Sequence, residues 1–155
     1  MMKYTQNLYL IKSDSMHLIN FMLSFRIMSE ASNNVKIDTK ELFDQTGNTN
    51  VKQVICQRCP SKIIPPKFAT LSEEEFKLAP MKKKTDESGN DGGEECLTQF
   101  YCVKDMFDFD NVGFTKDVGE FKFLCCADCE IGPIGYHKKS DGTSYVALAR
   151  IRHQE

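Results

Sequence analysis

Two pairs of cysteines have the spacing best suited to chemistry in this sequence. Cys56 and Cys59 form one CxxC pair, and Cys126 and Cys129 form a second pair beyond residues 60–125. Two residues between thiols allow a tight turn that points both sulfurs at one ion, and two such turns complete a tetrahedron. Because all four ligands would be protein thiolates, no position stays open for water or substrate. The spacing therefore predicts one structural zinc ion that contributes to folding.

Two other uses of these thiols are open at the level of sequence. An iron–sulfur cluster also accepts four thiolates. A single CxxC pair can serve as a thioredoxin-like redox pair, but that motif belongs in a βαβ setting, which this strand-rich sequence does not predict. Zinc is the interpretation that the paired spacing favours.

The other three cysteines are Cys96, Cys102 and Cys125. They fall in or next to predicted strands and are interpreted as small apolar side chains, because unpaired cysteine is among the most buried residue types. Seven cysteines is an odd number, so a complete disulfide framework would leave one thiol over. The count favours a reducing compartment, and we expect a cytosolic protein.

Length and charge narrow the class of protein. A chain of 155 residues has room for one compact domain with tails or an insertion. Its formal net charge of −2 argues against a general binder of nucleic acid or anionic membranes. The apolar run at residues 18–23 is too short to span a bilayer, so we expect no stable membrane insertion. We expect a monomer.

Most of the chain from Val51 onward has the texture of strands and turns. Short segments rich in β-branched and aromatic residues alternate with Gly, Pro, Asn and Asp, which predicts an all-β fold of small antiparallel sheets. Residues 114–123, with Asp117, Val118 and Gly119 in the middle, predict a hairpin. Prolines confine helix to a short piece at residues 72–78. The predicted strands are residues 51–56, 97–103, 120–125 and 144–151.

The polar stretches define the predicted domain limits. Residues 29–50 lack a sustained apolar period, so residues 1–50 are predicted to be a flexible N-terminal extension, with a short helical turn near Lys40. The domain itself is predicted at residues 51–155. Residues 81–95 carry lysines, acidic residues and glycines that cannot bury apolar surface, which predicts a mobile surface loop within the domain.

Residues 105–111, with the sequence DMFDFDN, alternate acidic and bulky apolar side chains. As a half-buried strand, this segment would place Phe107 and Phe109 on one face and Asp108 and Asp110 on the other. Both phenylalanines could simply belong to the core. Alternatively, the aromatic and Met side chains could form a partner-binding edge, because such residues are enriched at interface hot spots.

Three stretches of the sequence resemble the Rab-interacting factor family, also called mammalian suppressor of Sec-four. Residues 105–137, DMFDFDNVGFTKDVGEFKFLCCADCEIGPIGYH, are similar to its signature region. Residues 55–66, ICQRCPSKIIPP, resemble its first cysteine turn, and residues 144–151, SYVALARI, its last strand. The resemblance spans residues 51–152. Cys125, Tyr136, the acidic loop and the first fifty residues depart from the family pattern, but none of these departures touches the four paired thiols.

The resemblance implies a zinc-stabilised antiparallel fold of the β-tent type. It also implies binding to exocytic Rab-type small GTPases in their nucleotide-free form, with a role as guanine-nucleotide exchange factor or holding chaperone and no covalent catalysis. The partner-facing positions of the family correspond to Asp105, Met106, Phe107, Asn111 and Asp128.

Two other functions compete with this expectation. A redox enzyme of the methionine sulfoxide reductase B type is similar in fold, and Cys102 or Cys125 would be its candidate nucleophile, although no His or Asn motif accompanies either thiol. A zinc-ribbon module for nucleic acid would need a basic face, for which Arg58 and a lysine cluster at residues 82–84 are the candidates.

Overall fold

The computed structural model describes residues 36–46, 48–83, 93–115 and 117–154, and these residues form an all-β domain. They contain two 3-10 helices, Met106–Asp108 and Leu148–Arg150, and none of their helices is long and apolar enough to span a bilayer. The predicted fold class is confirmed. The strands are β1 (Val54–Cys56), β2 (Lys62–Ile64), β3 (Thr70–Leu78), β4 (Lys82–Lys83), β5 (Glu95–Val103), β6 (Val112–Phe114), β7 (Phe121–Cys126), β8 (Ile131–Gly132), β9 (Gly135–Lys138), β10 (Ser144–Ala147) and β11 (Ile151–His153).

The strands are arranged in three antiparallel sheets. The largest has six strands in the order β3-β5-β10-β9-β7-β6, the second has three in the order β11-β1-β2, and β4 and β8 form a small pair. The predicted hairpin is confirmed, because β6 pairs with β7 and Phe114 lies opposite Leu124. Gly119 has a φ of 61°, a conformation that glycine adopts without strain, in the turn between these two strands.

The main core lies between the six-stranded and three-stranded sheets. Tyr101 and Val146 of the larger sheet and Val54 and Ile63 of the smaller sheet belong to one buried cluster. The opposite face of the larger sheet carries a second cluster centred on Tyr136, whose ring stacks on Phe76 at 3.6 Å between centroids. Strand β5 supplies both clusters, because successive side chains of a strand point to opposite faces.

The packed domain begins before Val51, which corrects the predicted limit. Leu42 and Phe43 are buried in the main core, and the ring of Phe43 lies 5.1 Å from that of Tyr101. Two apolar residues at the end of a polar stretch give no periodic signal, so the sequence did not reveal their burial. The predicted turn near Lys40 is present, since the N–H groups of Leu42 and Phe43 both donate to the Thr39 carbonyl. Residues 1–35 lie outside the described residues.

Two further expectations about local structure are wrong. Residues 72–78 lie in strand β3 rather than in a helix, because pairing with β5 along nearly its whole length satisfies the backbone and overrides the helix preference of the glutamates. The predicted mobile loop at residues 81–95 is wrong at both of its ends. Lys82 and Lys83 pair with β8, and Glu95 begins β5. Residues 84–92 lie outside the described part of the chain.

The buried Arg150 side chain joins the chain segments on the two sides of residues 84–92. Arg150 has only 3% of its side chain exposed, and it donates hydrogen bonds to the carbonyls of Ala79 and Pro133. Its guanidinium also pairs with the Glu95 carboxylate at 2.9 Å. Because a buried charge is costly unless it is paired and hydrogen-bonded, these contacts fix the end of β3, the start of β5 and the segment before β9 relative to one another.

The burial of Phe43 leads to a stability prediction. Phe43→Ala in the full chain should lower the free energy of unfolding by roughly 3 kcal/mol, because it removes a core ring and leaves a cavity beside Tyr101. Thermal and denaturant unfolding would measure the loss. Glu41→Ala, at an exposed neighbouring position, is the control. A Phe43 variant as stable as this control would show that residues 36–50 do not pack against the domain.

Candidate functional site

The four paired cysteines come together at one point between the two larger sheets. Their sulfur atoms all lie within 4.8 Å of one another, with Cys56 Sγ 3.6 Å from Cys129 Sγ and Cys59 Sγ 3.6 Å from Cys126 Sγ. A metal–sulfur tetrahedron with bonds of about 2.3 Å has sulfur–sulfur edges of about 3.8 Å. A disulfide would need about 2.0 Å. The spacing therefore fits four thiolates around one metal ion.

The first cysteine turn joins β1 to β2. Cys56 ends β1, its N–H donates to the Ser61 carbonyl at 2.8 Å, and the N–H of Arg58 points at Cys56 Sγ from 3.4 Å. Arg152 on β11 reaches across and donates to the carbonyls of Cys56 and Cys59. These contacts set the direction of both sulfurs through the backbone of the three-stranded sheet.

The second cysteine turn follows β7. Cys126 is the last residue of that strand, and the N–H of Glu130 donates back to the Cys126 carbonyl at 3.0 Å, which closes the turn. Glu130 has a φ of 58°, in the left-handed region that such tight turns use. The two turns come from different sheets, so a shared metal ion would join the sheets directly.

Ionisation of the thiols depends on a cation. Burial raises the pKa of Cys129 to about 12 and also raises the pKa of Cys59. Burial opposes ionisation of Cys126 as well, but the backbone N–H groups of Cys129 and Asp128 leave its pKa lowered overall. Without a cation, several thiolates cannot share this space. A bound divalent ion would offset much of their charge and reduce that penalty.

A buried hydroxyl gives an independent indication that the residues fit a metal. Ser61 Oγ is inaccessible to solvent and makes no hydrogen bond to a nitrogen or oxygen atom of the described residues. It lies beside Cys126, whose pKa it helps to lower. A metal-bound thiolate at Cys126 would accept the Ser61 hydroxyl proton in a hydrogen bond, which satisfies a group that would otherwise be costly to bury.

The remaining cysteines lie outside this cluster. Cys96 Sγ donates to the Glu75 carboxylate at 2.8 Å, and this bond raises the pKa of Cys96. Burial raises the pKa of Cys102. Cys125 is half-buried, and its sulfur lies 3.6 Å from the Gly113 carbonyl oxygen. A raised pKa disfavours the thiolate that a redox nucleophile needs, so the environment of Cys102 does not support the enzyme alternative.

The acidic and aromatic segment is a tight turn rather than the half-buried strand considered from its sequence. Residues Met106–Asp108 form a 3-10 helix, and the Asp105 side chain caps it by accepting the N–H of Phe107 at 2.9 Å. Local capping by Asp competes with strand pairing, which explains the difference. The two phenylalanine side chains consequently differ in burial. Phe109 packs against the main core, whereas Phe107 is 87% exposed and Met106 is 44% exposed.

Hydrogen bonds of Asn111 connect the end of the acidic and aromatic segment to both cysteine turns. The Asn111 side chain donates to the Lys62 carbonyl beyond the first turn, and the Asn111 carbonyl accepts the N–H of Ala127 in the second turn at 3.0 Å. Asp128 follows Ala127 with its side chain exposed between two cysteines of the cluster. The structure thus places Asn111 beside the turn that carries Asp128, with Met106 and Phe107 on the segment that leads to it.

Comparison with known proteins agrees with this geometry. A family model described as "Mss4 protein" matches residues 49–153, which include the four paired cysteines and the whole acidic and aromatic segment. The chain belongs to the Mss4 family. A Drosophila melanogaster relative named guanine nucleotide exchange factor MSS4 homolog is 39% identical over 110 residues, covering 71% of this chain and 90% of that protein. A Schizosaccharomyces pombe relative of the same name is 32% identical over 100 residues, covering 64% of this chain and 93% of that protein.

Membership in the Mss4 family confirms the resemblance noted in the sequence. The family match covers both cysteine turns, all of β11 and most of the main core. It leaves Leu42 and Phe43 outside, although both residues pack in the core of this chain. Sequence reasoning missed these two residues, and the position of Phe43 against Tyr101 is visible only in the three-dimensional structure.

The cysteine geometry predicts how the domain depends on metal. Cys129→Ser should abolish binding of one metal ion per chain and unfold the domain, because three ligands and an uncompensated buried site replace a closed tetrahedron. Elemental analysis and circular dichroism would measure metal content and fold. Cys96→Ser, outside the cluster, should keep both. A metal-free Cys129 variant that melts at the parent temperature would contradict a structural metal.

Proposed function

We propose that this protein binds small GTPases of the Rab type in their nucleotide-free form. Binding promotes release of guanine nucleotide, holds the empty GTPase as a chaperone does, or does both, without covalent catalysis. Family membership supports this proposal, since two relatives are named guanine nucleotide exchange factors. The observation that carries it is Phe107, an aromatic side chain 87% exposed on a capped turn beside the cysteine cluster.

We further propose that the ion in the cluster is zinc. Four thiolates in a closed tetrahedral site suit zinc, which imposes no redox change and no open coordination position. The ion would be held by Cys56, Cys59, Cys126 and Cys129, and its role would be to fix the two cysteine turns. In a reducing cytosol the thiolates remain available for the ion, and Rab partners would bring the monomeric protein to membranes.

Nucleotide release follows from thermodynamic coupling. A GTPase holds its nucleotide through a phosphate-binding loop, Mg²⁺ and ordered switch segments. Consider a partner that binds the GTPase more tightly when these segments are disordered. It lowers the affinity of the GTPase for nucleotide by the same factor by which bound nucleotide lowers the affinity of the GTPase for the partner. The protein therefore needs only a surface that prefers the empty state. Proton transfer and covalent bond formation play no part.

The surface proposed for this role comprises Asp105, Met106, Phe107, Asn111 and Asp128. Phe107 and Met106 offer apolar contacts to a pocket that an ordered switch segment would otherwise fill. Asp128 offers a carboxylate. The backbone N–H of Asp128 points at Cys126, so the cysteine cluster fixes the position of this residue.

A sheet edge adjoins this surface. Strand β6 follows Asn111 directly and stands at one end of the six-stranded sheet. An extended switch segment could add to that edge through main-chain hydrogen bonds, which provide affinity that depends little on sequence. The edge and the exposed side chains would then act on neighbouring parts of the same partner.

The role of Phe107 can be tested directly. Phe107→Ala should weaken binding to EDTA-treated, nucleotide-depleted Rab GTPase by about 2 kcal/mol or more, which is about 30-fold, as loss of an interface aromatic does. Calorimetry would measure binding, and release of a fluorescent nucleotide should slow in parallel. Since Phe107 is exposed, melting temperature and metal content should not change. Parent-like binding by this variant would refute the proposed site.

Asp128 tests the electrostatic part of the same surface. Asp128→Asn keeps the size of the side chain and the backbone contacts of the turn but removes the charge. We expect binding of the empty GTPase to fall about tenfold, a value typical of a lost interface charge, while metal content and melting temperature stay constant. Glu120→Gln, exposed at the β6–β7 turn, is the matched control. Equal binding by both variants would remove Asp128 from the site.

A further inference from the structure

A second exposed aromatic side chain, like Phe107, is carried by a backbone that hydrogen bonds hold in place. Phe68 is 49% exposed in a loop formed by residues 65–69, here named the Phe68 loop. This loop begins with two prolines, whose rings fix the backbone, and Lys67 has a φ of 73° in the left-handed region. An exposed phenylalanine alone needs no explanation. Its fixed backbone and its position in the fold are what distinguish this one.

A fully buried asparagine fixes the backbone on both sides of Phe68. The Asn50 carbonyl accepts the N–H of Lys67 at 2.7 Å, and its side-chain oxygen accepts the N–H of Ala69 at 2.8 Å. The Asn50 N–H donates to the Ala69 carbonyl, and its amide group donates to the Pro65 carbonyl. These bonds bracket Phe68 in sequence. Little entropy would be lost from the loop on binding, a property of preorganised contacts.

Phe68 and Phe107 lie on the same side of the hydrogen bonds that join residues 110–111 to residues 62–63. The N–H of Asp110 donates to the Ile63 carbonyl, and the Asn111 side chain donates to the Lys62 carbonyl. The two segments therefore run antiparallel. Moving back along the chain from Asp110 leads to Phe107, while moving forward from Ile63 along the neighbouring segment leads to Phe68. Both exposed aromatics lie beyond the same set of hydrogen bonds.

A stable interface is larger than the five side chains around Phe107 and Asp128. Specific complexes bury about 800 Å² on each partner, contributed by about 20–30 residues. Five residues around Phe107 and Asp128 cannot supply that area. The Phe68 loop adds an aromatic, and exposed Val51 comes from the backbone next to Asn50. These two exposed side chains provide additional apolar area.

We propose that Phe68, with Val51, is a second apolar anchor for the same GTPase and contacts an apolar segment of it next to the one that Phe107 meets. This inference rests on the proposed function. It assigns to the Phe68 loop a specificity role, because a rigid aromatic rejects partners that present charge at the facing position. Asn50 acts as a positioning residue for this anchor.

The test measures affinity of the full-length protein for EDTA-treated, nucleotide-depleted Rab GTPase. Phe68→Ala should weaken binding about tenfold without changing melting temperature or metal content, because the side chain is half exposed. Val118→Ala is the matched control, since Val118 is 55% exposed at the turn of the β6–β7 hairpin, outside the proposed surface. The control should bind within twofold of the parent protein.

Phe68→Leu separates contact from loop structure. Leucine keeps most of the apolar volume, so binding should stay within about threefold of the parent protein. Losses of equal size for leucine and alanine, accompanied by a lower melting temperature, would show that the ring supports the loop and would overturn the anchor proposal.

Failure of the anchor and failure of the proposed function give different results. If Phe107→Ala weakens binding while Phe68→Ala matches Val118→Ala, the anchor proposal is overturned and the proposed function stands. If the parent protein does not bind empty GTPase, both proposals fail. Weaker binding by both phenylalanine variants, with the control unchanged, supports the anchor.

Discussion

The convergence of four thiols from two sheets is the constraint on which the remaining structure depends. Cys56 and Cys59 flank the turn between β1 and β2, while Cys126 and Cys129 belong to the turn after β7. Sulfur–sulfur contacts of 3.6 Å across the sheets leave room for a metal ion and for little else. Because the strands of the smaller sheet contain three residues each, its attachment relies on packing and on this cluster. Closing so long a loop through metal coordination also limits the entropy of the unfolded chain.

Buried polar side chains also hold distant segments of the domain together. Arg150, Asn50 and Ser61 are buried, and the first two have their hydrogen bonds satisfied by backbone carbonyls or N–H groups of distant segments. These contacts join segments that are distant in the sequence. Arg150 fixes the end of β3, the start of β5 and the segment before β9, and Asn50 fixes the Phe68 loop. Polar networks of this kind specify one arrangement because an alternative would leave buried groups unpaired.

The exposed side chains proposed to meet a GTPase are presented by short capped turns. Asp105 caps the turn that carries Phe107, and Asn50 brackets the backbone that carries Phe68. Asp128 lies between two cysteines of the cluster. In each case the backbone is fixed by hydrogen bonds or by the cysteines while the side chain stays in water. A surface built this way loses little conformational freedom on binding, which is the property that the proposed preference for an empty GTPase requires.

The sequence by itself determined the cysteine set, the all-β class, the β6–β7 hairpin and the family, because these depend on local spacing and on runs of residues. It failed where distant contacts decide. Glutamates at residues 73–75 favour a helix locally, yet pairing with β5 makes them part of a strand. Leu42 and Phe43 follow a polar stretch, and only the position of Tyr101 shows that they are core. Phe107 and Phe109 look equivalent in the sequence, but Phe109 packs against the main core while Phe107 stays exposed. Tertiary structure decides such cases because burial is a property of the whole fold, whereas pattern reports only near neighbours.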